Sequence, residues 1–366
     1  MNILFMSPDY HCSFIYADKL KEMGHECKIF VPDDYPINLL YNNRNIIFFK
    51  SNNRFLKLAW KIKCIFKFSQ YDIQIYYGCL DYLNIKIPLF NFDLINLILF
   101  FYKILKIKII YVPSGCNDEE LKENFKKFDN GNVCFNCGVS SNCLDQVNKK
   151  KFALVNKFSD LNIGLGCYKS NSINLTHLKY KIIDLEKWSP NISIPNYINK
   201  FDKNKIIILH SFFDKNRINE GKNEKGSQYV YRAFERLKSE GYNIEYVYLN
   251  NIKSSDMRYY QIQADIVVEQ LIYGWWGSTG VETMSLGKPV ICYLRRSWKE
   301  FFFKQFPEYS KLPIIEASPK NIYEVLKELI INPELREKKG KESREFAESY
   351  FNPDKNAKDF LNKILS

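Results

Sequence analysis

The segment Ala264–Tyr293, ADIVVEQLIYGWWGSTGVETMSLGKPVICY, restricts the fold more than any other stretch of this chain. It reads as a strand from Ala264 to Val268, a loop carrying Gly274, Gly277 and Gly280, and a short helix. Gly287-Lys288-Pro289 then leads into a second strand, Pro289 to Tyr293. Strands joined through a helix run parallel, and a parallel sheet needs helices over its faces. Glycines let backbone amides approach a ligand, and the new helix aims its first N–H groups at the loop. Gly277, Ser278, Thr279 and Gly280 are therefore candidates for holding an anion such as a phosphate. Glu282 lies too close to be another anion donor; a carboxylate there suits ribose or sugar hydroxyls.

The rest of the chain repeats this grammar. Strand-like runs at Asn2 to Phe5 and Lys28 to Val31 flank a helical stretch, Ile15 to Met23, stopped by Gly24. Further strands are expected at 72–77, 108–112 and 161–165. A second series begins after the irregular stretch 189–196, with strands at 205–209 and 244–249 around a helix at 227–240. Helices at 320–331, 333–350 and 354–365 close the chain. The expected architecture is α/β: two Rossmann-like doubly wound domains facing a cleft, with ligands at the carboxyl ends of the strands. The domains are expected at residues 1–190 and 191–350, with 351–366 as a terminal helix crossing back to the first.

Composition bounds the setting. The 366 residues are 46% hydrophobic and 26% charged, as in globular proteins. Charged residues follow the first strand too soon for an export signal, and the most apolar stretch, Leu94 to Tyr102, is too short to span a bilayer and is expected as a buried helix. A cytoplasmic protein with reduced thiols is expected. Half of the net charge of +12 lies between Ser51 and Ile110, where nine Lys/Arg face three Asp. Phe55, Leu58, Ile62 and Ile65 share one helical face there, flanked by Lys57, Lys61, Lys63 and Lys67. That helix either packs on the sheet or lies peripherally on an anionic membrane at the inner face of the cell.

The C-terminal segment resembles glycosyltransferase family 4, whose signature is a Glu, seven residues, a second Glu and an Ala-Met-Ala-x-Gly-x-Pro-Val pattern. Here Glu282 takes the second position and ETMSLGKPVI matches the remainder of the signature, while Gly274 stands at the first. Glu269 is a candidate substitute for that missing carboxylate. LHSFFDKNRINEGKNEKGSQYVYRAFERLKSEG, Leu209 to Gly241, resembles the family's strand, basic loop and Lys-Gly before a helix. By position, the cations holding the donor diphosphate are Arg217 and Lys225, and His210 ends the strand beside them. The resemblance implies the glycosyltransferase-B fold and transfer of a sugar from a nucleotide diphosphate sugar to a saccharide or lipid-linked acceptor. It implies retention of anomeric configuration in bacterial polysaccharide or glycolipid assembly. YVPSGCNDEE, Tyr111 to Glu120, sits where relatives carry a Gly-x-Asp loop, so Asp118 either contacts a substrate or caps the next helix. The chain contains no Asp-x-Asp, and no cofactor is expected to be required for catalysis.

Cys116, Cys134, Cys137 and Cys143 form C-x17-C-x2-C-x5-C, expected as an insertion (116–143) in the first domain. The spacing suits a structural zinc, an iron–sulfur cluster or plain reduced thiols. Two alternatives stand beside the transferase: a nucleotide-sugar epimerase of the same fold, and a zinc-knuckle RNA-binding protein using the basic stretch. The second leaves the Lys-Gly and Glu282 motifs unexplained, so no nucleic acid partner is expected.

Overall fold

A computed structural model describes residues 1–31, 46–48, 53–87, 92–114, 116, 121–126, 132–167, 170–212, 218 and 221–366. The chain divides into two compact units, one of residues 1–121, 144–182 and 353–366, the other of residues 122–143 and 183–352. Most of the four-cysteine segment thus groups with the second unit, whereas the sequence placed it in the first domain.

The first stretch runs β1 (Asn2–Phe5), α1 (Cys12–Glu22), β2 (Glu26–Val31), β3 (Ile46–Phe48), α2 (Arg54–Phe68) and β4 (Ile73–Tyr77). A small antiparallel pair, β5 (Lys86–Ile87) and β6 (Phe92–Asp93), precedes α3 (Ile95–Ile104) and β7 (Lys108–Val112). The short helices α4 (Leu121–Lys126) and α5 (Asn132–Asn136) come next, then α6 (Asp145–Phe158), β8 (Leu161–Gly164) and β9 (Thr176–His177). The main sheet is parallel, in the order β3-β2-β1-β4-β7-β8-β9. Alternate residues of β1 feed opposite cores, as the two-residue strand period requires. Ile3 and Phe5 pack with Phe14, Tyr16 and Leu20 of α1, and Leu4 packs with Cys64, Phe68, Leu99 and Phe152.

The second unit continues with β10 (Ile206–Ser211), α7 (Ser227–Ser239), β11 (Ile244–Leu249), α8 (Ser254–Gln261), β12 (Ile266–Gln270), α9 (Ser278–Ser285) and β13 (Val290–Cys292). It ends with α10 (Arg296–Gln305), β14 (Ile315–Glu316), α11 (Ile322–Ile331) and α12 (Pro333–Tyr350). Its sheet is parallel in the order β11-β10-β12-β13-β14. Every residue of β12 is buried, as expected for a strand covered on both faces. The final helix, α13 (Pro353–Leu365), buries Ala357, Phe360 and Ile364 in the core of the first unit; the Phe360 and Tyr16 ring centres lie 4.6 Å apart, tilted by 44°.

One expectation needs correcting. The apolar stretch from Leu94 to Tyr102 forms α3, but only one face is buried, through Ile95, Ile98, Leu99 and Tyr102. Leu97 and Phe100 fall on the opposite side of the 3.6-residue period and are exposed.

Candidate functional site

In the second sheet the chain reverses its winding at β10, which has β11 on one side and β12 on the other. The carboxyl ends at such a switch point are where α/β sheets bind ligands. His210 ends β10, aligned with Val268 of β12. Its ring is fully enclosed: Nδ1 lies 2.7 Å from Val268 O and Nε2 lies 2.7 Å from Ser227 Oγ. Burial and the nearby Lys225 ammonium push its pKa down to about 3, so the ring is neutral at physiological pH.

The loop before α7 is folded by Asn223, whose Oδ1 accepts from the N–H groups of Lys225 (3.0 Å) and Gly226 (2.9 Å). Gly226 then takes φ +77°, a left-handed conformation that favours glycine, and α7 begins. This turn places Lys225 Nζ 3.1 Å from Ser211 O and 3.4 Å from Thr279 Oγ1, so the ammonium meets the first turn of α9. Ser211 Oγ lies 3.4 Å from the same Thr279 hydroxyl.

Glu269 sits where the β12–β13 register shifts, between Val268 and Gln270. Such a bulge re-aims a side chain, and this carboxylate accepts from the Gly277 N–H at 2.8 Å at the start of α9. The loop glycines match it in size. A Cβ on Gly280 would stand 2.2 Å from Glu269 Oε2 and 2.7 Å from Trp276 Cβ. Glu269 is 1% exposed. Burial raises its pKa to about 7 despite the opposing Lys225 charge and Gly277 N–H. The helix start that the sequence assigned to an anion therefore already holds a protein carboxyl group, poised between charged and neutral. Glu282 is likewise 1% exposed and accepts from Gln261 Nε2 at 2.8 Å.

Gly274, where the family signature has a carboxylate, has φ +102° and packs against Arg295. Arg295 donates from its backbone N to Gly274 O (2.9 Å) and from Nε to Tyr273 O (2.8 Å). Its guanidinium lies 5.4 Å from the Phe125 ring centre and 5.2 Å from that of Trp298. A buried arginine thus stands beside the position expected to be acidic.

The structure unites His210, Lys225, Glu269, Gly277, Ser278, Thr279 and Gly280 around one helix start. Arg217 and Asp118 lie outside the described residues. Cys134 lies in α5, with the Cys137 N–H donating to its carbonyl at 3.3 Å, while Cys143 Sγ lies 3.8 Å from Val139 O. Among the described residues no three His, Cys, Asp or Glu side chains gather as a metal site. Among the described residues no helix is long and apolar enough to cross a membrane. A cavity of about 660 Å³ lies at the opposite, amino end of β10, lined by Lys200, Lys203 and Arg336, away from these groups.

Sequence reasoning missed an ion pair at the carboxyl end of β1, its Asp9 carboxylate buried and its Lys181 half-buried. Lys181 Nζ contacts both Asp9 oxygens, at 2.9 and 3.0 Å. Burial opposes the Lys181 charge, but Asp9 outweighs it and raises the pKa of the ammonium. Asp9 lies in the turn after the first strand, a position that sequence alone marks for ligands; its partner, far along the chain, carried no signal.

No protein-family model and no curated protein sequence matches the chain. Solved structures do. Sucrose-phosphate synthase from Thermosynechococcus elongatus is similar over 99% of this chain and 98% of its own, with a TM-score of 0.61 and 12% identity. WaaG, a glycosyltransferase involved in lipopolysaccharide biosynthesis, matches over 100% of this chain and 99% of its own, with a TM-score of 0.52 and 12% identity. The UDP-GlcNAc 2-epimerase of Neisseria meningitidis, bound to UDP-GlcNAc, matches over 100% and 98%, with a TM-score of 0.51 and 12% identity. Two parallel α/β sheets and this similarity along the whole chain identify the fold as glycosyltransferase-B.

Proposed function

We propose that the chain is a glycosyltransferase that moves a sugar from a nucleotide diphosphate sugar to a saccharide or lipid-linked acceptor. The observation that carries this is the convergence of Lys225 on the start of α9, 3.4 Å from Thr279. An ammonium and helix N–H groups acting together stabilise the charge that develops on a departing nucleoside diphosphate. Arg217 is assigned to the same diphosphate, and Glu282, its carboxylate fixed by Gln261, to donor hydroxyls. Asp118 and the β1 loop around Asp9 belong to the acceptor side. Protonated Glu269 removes a negative charge from the diphosphate site and offers it a hydrogen bond; donor affinity then falls as pH rises through about 7. Attack from the face that the nucleotide leaves would retain configuration.

A same-fold epimerase is the second reading, favoured by one feature: a buried carboxyl with a pKa near 7 can take up and return a proton. Proton NMR of the protein with UDP-, GDP- and ADP-sugars, with and without saccharide acceptors, separates the two. Acceptor-dependent release of nucleotide supports transfer. Conversion to a stereoisomeric sugar nucleotide without acceptor supports epimerisation, and no turnover of any donor contradicts both.

A further inference from the structure

The first unit carries an apolar surface that its own core does not use. On α2, Phe55, Leu58, Ile62 and Phe66 follow one another at helical spacing and are all exposed, Phe55 by 83% and Phe66 by 62%. On α3, Leu97, Phe100 and Ile104 form a second exposed stripe, with Phe100 at 57% and Ile104 at 63%. The helices are neighbours: Tyr102 Oη donates to Ile65 O at 3.1 Å, and the Phe66 and Phe101 rings meet edge-to-face at 6.2 Å. Scattered exposed apolar residues are ordinary on a protein surface, but two adjoining stripes rich in phenylalanine are not.

The charges on the two helices have one sign. Arg54, Lys57, Lys61, Lys63 and Lys67 lie on α2; Lys103 closes α3, and Lys106 and Lys108 follow it. Neither helix contains an Asp or Glu. Two acidic residues border the surface: Asp160, paired with Lys103 beside Ile104, and Asp93, just before α3. A second copy of the chain docked face to face on this surface would set these cations against each other, and like charges across an interface oppose association. A surface of anionic phospholipid headgroups over acyl chains satisfies both halves: the cations meet phosphates and the phenylalanines enter the headgroup–acyl boundary.

We infer that α2 and α3 together form a docking surface for an anionic lipid bilayer, with Phe55, Phe66, Phe100 and Ile104 as its inserting side chains. The surface stands whatever sugar nucleotide the second unit takes. It would hold the chain beside lipid-borne substrates.

The test is co-sedimentation of the full chain with phosphatidylcholine vesicles containing about 30 mol % phosphatidylglycerol, and with phosphatidylcholine alone. Binding is expected to the anionic vesicles only, and to weaken when salt is raised to about 0.5 M. The combined variant Phe55→Ser, Phe66→Ser, Phe100→Ser and Ile104→Ser is expected to lose at least about tenfold in partitioning while keeping its thermal midpoint. If that variant does not fold, Lys57→Glu, Lys63→Glu and Lys67→Glu, all on the surface, are expected to give the same loss. No binding of the wild-type chain, or unchanged binding of the folded variants, overturns the inference. A wild-type dimer in sedimentation velocity that the same substitutions dissociate also overturns it, assigning the surface to a second copy.

Discussion

Arg295 occupies the space that a side chain at position 274 would need: a Cβ built on Gly274 would stand 2.2 Å from Arg295 Cγ and 2.5 Å from Nε. Glycine at 274 is therefore fixed both by its φ of +102° and by the arginine packed against it. Gly274→Ala is expected to cost about 2–3 kcal/mol. Part of that cost is overlap with Arg295, so the same substitution should cost less in an Arg295→Ala background. Equal costs in both backgrounds, measured by urea denaturation, would contradict the packing relationship.

Gly280 is constrained differently, since the carboxylate of Glu269 and Trp276 Cβ stand where its side chain would go. Gly280→Ala should destabilise by about 1–3 kcal/mol and weaken nucleotide binding, because Glu269 must leave the start of α9. Glu269→Gln keeps an acceptor for the Gly277 N–H and should leave stability near neutral pH within about 1 kcal/mol. Thermal denaturation with and without nucleotide reads both effects.

His210 and Glu269 give stability opposite responses to pH. The pKa of His210 falls from 6.5 to about 3 on folding, so its contribution is complete above pH 6.5 and is lost as pH drops towards 3. That of Glu269 rises from 4.5 to about 7, so its contribution is complete below pH 4.5 and is lost as pH climbs towards 7. Between 4.5 and 6.5 the two slopes, each up to about 1.4 kcal/mol per pH unit, oppose one another. His210→Gln should leave stability falling as pH rises through this window, and Glu269→Gln should leave it falling as pH drops. Slopes of the same sign in the two variants would refute the assignment.

The Asp9–Lys181 pair ties the turn after β1 to a segment 172 residues away. Asp9→Ala strands a largely enclosed ammonium and should cost about 2 kcal/mol. In a Lys181→Met background the same change should cost less. Chemical denaturation of the four proteins gives the coupling.

Strands and helices were legible because their residues repeat locally, as in Val230, Ala233, Phe234 and Leu237 of α7 or the apolar run Ile266 to Val268 of β12. The nearness of Lys225 to the α9 start was legible too, through a motif resemblance spanning both segments. The partners that decide the chemistry were not. Arg295 meets Gly274 only because β13 ends beside the loop after β12, and the bulge that turns Glu269 towards Gly277 is a property of strand pairing. The outward stripe of α3 escaped notice because Leu94 to Tyr102 is apolar at every position but Asn96, and composition alone does not say which side faces the sheet.

The central claim, that Lys225 and the start of α9 hold a nucleoside diphosphate, is tested most directly by thermal shift against UDP, GDP, ADP, CMP and TDP, comparing wild type with Lys225→Ala. The account predicts stabilisation of the wild type by a diphosphate, lost in a variant that melts within a few degrees of it. An equal shift in both proteins, or none with any nucleotide, would contradict it.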